Sequence, residues 1–148
     1  MVIPLRNEAT DGNDPAGMLR RAAVWGSEGT SLADARGAVR DLLLRAGHPP
    51  DRRPSQDAQL VVSELVTNAL RHAPGPGRLL LEVVPGSGLL RISVRDGSPR
   101  QPHLLVPDPH RIGGHGLHLI ARICERFHTV PLDDGKQVTA ELRLPVAW

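Results

Sequence analysis

Ser63-Glu64-Leu65-Val66-Thr67-Asn68-Ala69-Leu70-Arg71-His72-Ala73 places a carboxylate and an amide four residues apart inside an otherwise apolar helical run. With Ala58 at zero and about 100° per residue, Val62, Leu65 and Ala69 fall within roughly 40° of one direction. Glu64, Asn68 and His72 fall at about 240°, 280° and 320° on that wheel, a polar ribbon along the edge of the apolar stripe. A half-desolvated carboxylate beside an amide suits a metal-and-phosphate site. The amide oxygen can ligate a hard cation, and the carboxylate can take a proton or orient a water. The same spacing also describes a plain surface helix with polar residues at its rim, so the helix alone decides nothing.

Two further segments narrow the reading. Val94-Arg95-Asp96-Gly97-Ser98-Pro99 ends an alternating strand in an acid and a turn, and Gly113-Gly114-His115-Gly116-Leu117-His118-Leu119-Ile120 runs a glycine cluster into a helical pattern. In this order the three segments resemble the N, G1 and G2 boxes of the GHKL ATPase superfamily, whose members include gyrase, a heat-shock chaperone, histidine kinases and mismatch-repair ATPases. Within it the chain is most similar to the small stand-alone anti-sigma factor serine kinases. The resemblance covers roughly residues 20–145.

Composition is consistent with one domain. A chain of 148 residues can bury about 70% of its unfolded surface, enough for one full core. The net charge is +2, and Lys136 is the only lysine among 18 basic residues. The arginines are scattered among acids, and Trp25, Phe127 and Trp148 are the only aromatics. Direct nucleic-acid binding wants a clustered basic face and stacking rings, so it is not expected. A single cysteine, Cys124, excludes an internal disulfide and reads as a small buried hydrophobe in a helical run. His115 and His118, and Cys124 and His128, have helical spacing, but no four-ligand zinc pattern emerges. Neither a signal peptide nor a membrane span is evident, so a cytoplasmic location is expected.

The element reading begins with residues 1–17 as a mobile tail, followed by a single domain over residues 18–148. Leu19 to Trp25 reads as a short strand. Ser31 caps a helix from about Leu32 to Ala46, with Ala35, Val39, Leu42, Leu43 and Ala46 on its apolar face, and Gly47-His48-Pro49-Pro50 stops it. Pro54-Ser55-Gln56-Asp57 opens the second helix with a cap and a first-turn acid, and that helix ends before Pro74. Strands Leu79–Val84 and Leu89–Arg95 flank Pro85-Gly86-Ser87-Gly88 as a hairpin, Leu117 to Phe127 reads as a third helix, and Gln137 to Leu144 as a final strand. Helices combined with an antiparallel hairpin predict an α+β, two-layer sandwich with helices on one face of a mixed, mostly antiparallel sheet. The resemblance names it the Bergerat ATP-binding fold.

The resemblance also implies roles. Glu64 corresponds to the general base, Asn68 to the Mg²⁺ ligand, and Asp96 to the carboxylate that accepts a hydrogen bond from the adenine amino group, with Gly97 beside it. Gly113, Gly114, His115, Gly116 and Leu117 correspond to the phosphate loop at a helix N-terminus, where backbone amides and the helix dipole attract an anion. Ser98 to Ile112 becomes the ATP lid, with Arg100 and Arg111 available to the γ-phosphate. His72 can reach phosphate or simply complement the helix dipole. Two departures stand out. The glycines that follow the G1 aspartate are replaced by Ser98 and Arg100, and the Gly-Thr before the last strand, whose threonine helps hold the nucleotide in the family, is replaced by Gly135-Lys136-Gln137, so that contact is absent or taken over by Lys136.

Only about thirty residues precede the first helix, without a phosphoacceptor hairpin, and the chain ends at Trp148 just after the last strand. This fits a solitary ATP-binding regulator that sequesters a sigma factor or phosphorylates a small antagonist protein on Ser or Thr, and the resemblance implies a homodimer. A catalytically weak, nucleotide-gated binding module is the other reading.

Overall fold

The computed structural model describes residues 18–84, 88–97 and 120–145, together with the backbone of 6–7 and 12–13. In chain order the elements are β1 (Arg6–Asn7), β2 (Gly12–Asn13), β3 (Leu19–Trp25), α1 (Leu32–Arg45), α2 (Arg53–His72), β4 (Gly77–Val84), β5 (Leu89–Asp96), β6 (Arg126–Leu132) and β7 (Gly135–Arg143). Residues 6–7 and 12–13, part of the expected tail, pair with β3 as two short antiparallel strands.

Ser31 caps α1 as expected, its hydroxyl accepting from the amides of Ala33 at 3.1 Å and Asp34 at 3.4 Å. Helix α2 starts differently from expectation. Arg52 is its N-cap without a side-chain hydrogen bond, no acid lies in the first turn, and Ser55 is buried inside the helix. Pro54 makes this start possible, because its fixed φ suits the first turn and its missing N–H would have had no partner there. The buried residues of α2, Ala58, Val61, Val62, Leu65, Val66 and Ala69, form the stripe that the spacing predicts. Arg36 of α1 donates to the Ser63 hydroxyl at 3.2 Å, and that hydroxyl donates to the Gln59 carbonyl at 2.8 Å, tying the two helices.

The sheet order is β1-β3-β4-β5-β7-β6, with β2 also on β3, and every described pairing is antiparallel. Leu79, Leu81 and Val83 of β4, Leu90, Ile92 and Val94 of β5, and Val138, Ala140 and Leu142 of β7 share a core with Trp25 and both helices. The α+β two-layer sandwich is therefore as the pattern predicts. No helix among the described residues is long and apolar enough to cross a membrane.

The third helix is corrected. Residues 120–123 are helical, the Cys124 amide closes the turn on the Ile120 carbonyl at 2.8 Å, and the next amide, that of Glu125, already donates to the Glu141 carbonyl on β7. Phe127 is then in β6 rather than in a helix. Cys124 is half-buried just past the helical turn, and burial, with the Asp57 charge second, pushes its thiol up to about 12. It stays a protonated, unreactive thiol at neutral pH.

The face away from the helices carries a row of alternating charge. Arg20, Glu82, Arg91, Glu141 and Arg126 are successive register partners across β3, β4, β5, β7 and β6. Their separations are 2.9 Å, 3.9 Å, 3.3 Å and 3.7 Å in that order. The two carboxylates are only 9% and 8% exposed, because arginine side chains on either side cover them. One such pair with an exposed arginine contributes little, but the chain of pairs lets this face of the sheet meet water with no second helical layer among the described residues.

Gly77 lies against Trp25, so that a β-carbon there would enter the indole ring. Gly77→Ala should therefore cost about 1–3 kcal/mol through overpacking. The check is the urea midpoint followed by tryptophan fluorescence, and an unchanged midpoint would show that the ring can move aside.

Candidate functional site

The inward-facing residues of β5 run Leu90, Ile92, Val94 and then Asp96; those of β7 run Leu142, Ala140, Val138 and then Lys136. Period-two alternation thus delivers a carboxylate and an ammonium to the end of two apolar rows. Asp96 and Lys136 are register partners, and Lys136 Nζ donates to Asp96 Oδ1 at 2.9 Å. Both side chains are 2% exposed. Taking two charges out of water costs several kcal/mol per ion, and only a close, well-formed pair offsets it.

Gly135, immediately before Lys136, makes this closeness possible. Its φ is +155°, and a β-carbon on it would collide with the Asp96 carbonyl and crowd the Gly97 α-carbon. The backbone of the β6–β7 turn therefore presses directly on the end of β5. Gly97 follows at the surface, and a cleft of about 340 Å³ opens there, lined by Pro76, Gly77, Arg78, Arg95, Asp96, Gly97 and Asp134. Arg95 reaches Asp134 at 3.5 Å on its rim.

On α2, Glu64 and Asn68 are half-buried at the border of the apolar stripe, and His72 is exposed in the last turn. Neither Glu64 nor Asn68 makes a side-chain hydrogen bond or ion pair among the described residues. A half-buried polar pair with no partner among the described residues is an arrangement open to a ligand. The described residues contain no cluster of three His, Cys, Asp or Glu side chains. One amide oxygen at Asn68 nevertheless fits Mg²⁺, which takes few protein ligands and keeps phosphate and water oxygens.

The structure thus places Asp96 at the inward end of β5 and Glu64 and Asn68 on the edge of α2, the helix packed on that sheet face. Gly113, Gly114, His115, Gly116, Leu117, Arg100, Arg111 and the expected lid over 98–112 lie outside the described residues. Sequence reasoning offered Lys136 as a replacement for the nucleotide contact of the missing threonine and missed its partnership with Asp96. The signal was present: the sole lysine follows a glycine at the start of an alternating strand.

The sequence model of the family described as histidine kinase-like ATPase domain matches residues 27–142. A solved histidine kinase domain, from the blue-light activated histidine kinase of Erythrobacter litoralis, is similar with a TM-score of 0.49 and 21% identity. The similarity covers 76% of this chain and 59% of that one, so the chain spans about three-fifths of the solved domain. No curated protein matches this sequence.

Removing one partner of the buried pair strands the other. Lys136→Met is expected to lower unfolding free energy by about 3–5 kcal/mol, while the double variant Asp96→Leu/Lys136→Met recovers most of that loss. Chemical denaturation of the three proteins measures it. A double variant no more stable than Lys136→Met would mean that the two side chains are not coupled.

Proposed function

The chain belongs to the family of histidine kinase-like ATPase domains, and on that premise we propose that it is an anti-sigma factor serine/threonine kinase. It would bind Mg-ATP, phosphorylate a small antagonist protein and hold a sigma factor according to its nucleotide state. The observation that carries the reading is Asp96, a carboxylate buried at the inward end of the central strand β5 on the helix-covered face, where it can meet the edge of a base.

The assignment of roles follows from the chemistry of the side chains. Asp96 accepts from the exocyclic amino group of adenine; guanine would set a carbonyl oxygen against it. Asn68 offers its amide oxygen to Mg²⁺. When bound, the ion neutralises charge on the phosphates, the main requirement of phosphoryl transfer. Glu64, one helical turn before Asn68, takes the proton of the attacking serine or threonine hydroxyl. His72, exposed at the end of α2, would reach phosphate. The glycines 113, 114 and 116, with His115 and Leu117, would hold the phosphates through backbone amides. A cytoplasmic homodimer is part of the same proposal, with the sheet edge and the exposed side of α1, including Leu44 at 54% exposure, as its contact.

Calorimetry with ATP and GTP in the presence of Mg²⁺ tests the nucleotide reading. ATP should bind more tightly than GTP, and Asn68→Ala should remove the tightening by Mg²⁺ while leaving the apo thermal midpoint unchanged. Equal ATP and GTP affinities would remove Asp96 as the base reader, and undiminished Mg²⁺ dependence would place the metal elsewhere.

Transfer itself is tested with radiolabelled ATP and a cognate antagonist protein. Glu64→Gln should keep ATP affinity but slow phosphorylation by about 10²–10⁴-fold, the usual contribution of a general base. Undiminished transfer would refute the base role. Partner capture that needs ATP but yields no phosphorylation in the parent protein would identify a nucleotide-gated binding module instead.

A further inference from the structure

We propose that Arg78 and Arg95, side by side on the outer face of the sheet, form a docking site for a glutamate- or aspartate-bearing segment of a partner protein. Strand alternation sends Leu79 and Val94 into the core and their neighbours Arg78 and Arg95 to the opposite face. The helix that carries Glu64 and Asn68 packs on the inner face, so the site is independent of the nucleotide reading. Arg78 and Arg95 are register partners, which sets their β-carbons about 4.5–5.5 Å apart.

Two rows of the outer face differ in kind. The row Arg20, Glu82, Arg91, Glu141 and Arg126 sets each carboxylate between two arginines. The row through the proposed site runs Val24, Arg78, Arg95, Gln137 and Val130, with no acid at these described positions. Like charges directly opposite one another oppose strand pairing. A carboxylate bound between them turns that repulsion into attraction, and the planar guanidinium fork matches carboxylate geometry. The chain itself brings one carboxylate to this corner: Asp134, on the turn before β7, is 3.5 Å from Arg95, with the two side chains 79% and 46% exposed. So exposed a pair contributes little, and an incoming carboxylate can take its place.

The cleft of about 340 Å³ at this corner is at the small end of the range for bound ligands, which suits side chains rather than a large organic molecule. No aromatic ring lines it for a base to stack on, and Asp134 repels a continuous run of phosphates. A protein segment bearing isolated carboxylates meets neither obstacle.

The test is a ¹⁵N NMR titration of the full chain with a capped tetraglutamate peptide at low ionic strength, with capped tetraglutamine as the control. Tetraglutamate should shift the Arg78 and Arg95 side-chain resonances and the Gly77 and Gly97 amides saturably, and tetraglutamine should not. Arg95→Gln should weaken the peptide by at least about threefold, as expected for a partly exposed ion pair. Asp134→Asn, which removes the competing carboxylate, should tighten it. Arg126→Gln removes the same charge from the alternating row and should weaken it far less than Arg95→Gln. If Arg95→Gln does not fold, the localisation of shifts in the parent and the gain in Asp134→Asn decide. No saturable shift, shifts spread evenly over Arg20, Arg91 and Arg126, or equal losses in Arg95→Gln and Arg126→Gln would overturn the proposal. Tighter binding of inorganic phosphate or of oligothymidylate at the same residues would also overturn it, reassigning the corner to a free anion or to nucleic acid.

Discussion

Pairing register across β3, β4, β5, β7 and β6 is the constraint on which this molecule stands. With the described helices on one face, a slip of one residue would exchange Leu79, Leu81 and Val83 for Arg78, Leu80 and Glu82, and Ile92 and Val94 for Arg91, Ser93 and Arg95. Apolar burial on one side and the Arg20–Glu82–Arg91–Glu141–Arg126 row on the other both specify the same register. Ser93 and Thr139, hydrogen-bonded at 3.2 Å on the outer face, add a neutral rung. Local alternation and cross-strand pairing thus agree, which is the condition for one dominant native arrangement.

The candidate site is where this regularity is interrupted. The inward rows of β5 and β7 are apolar until their last positions, and there the pattern supplies Asp96 and Lys136 in place of two hydrophobes. Two well-packed aliphatic side chains of similar volume are often no worse for stability, so folding alone does not demand the charged pair. Glu64 and Asn68 show the same logic on α2, half-buried at the rim of an otherwise apolar stripe. Polar chemistry is held at the margin of the core, where desolvation strengthens each interaction.

Much of this was legible in the sequence, and the reasons differ by element. The stripe of α2 and the cap of α1 depend on neighbours three or four residues away, so periodicity exposes them. The placement of Asp96 was legible too, because strand alternation fixes its face. The β6 strand was not, since Ile120, Ile123, Cys124 and Phe127 repeat at helical spacing and conceal the change of period at Glu125. The Asp133-Asp134-Gly135 turn could have revealed it, as a tight turn before β7 implies a strand on both sides. Residues 6–7 and 12–13 join the sheet through backbone pairing, which leaves no hydrophobic signature. The Asp96–Lys136 pair and the charged row require knowing which strands are neighbours, and that knowledge comes only from the three-dimensional topology.

That topology has a kinetic consequence. The β4–β5 and β6–β7 hairpins join segments close in sequence, but the β3–β4 and β5–β7 seams bring together partners 62 residues apart at Arg20 and Glu82 and 40 apart at Lys136 and Asp96. Loop-closure entropy opposes such seams until hydrophobic contacts compensate, so they set the pace of folding more than the hairpins do. Before the β5–β7 seam closes, Asp96 and Lys136 belong to separate, solvated hairpins. The buried Asp96–Lys136 pair is therefore acquired only with the completed sheet, and a collapsed intermediate carrying both helices and both hairpins would still lack it.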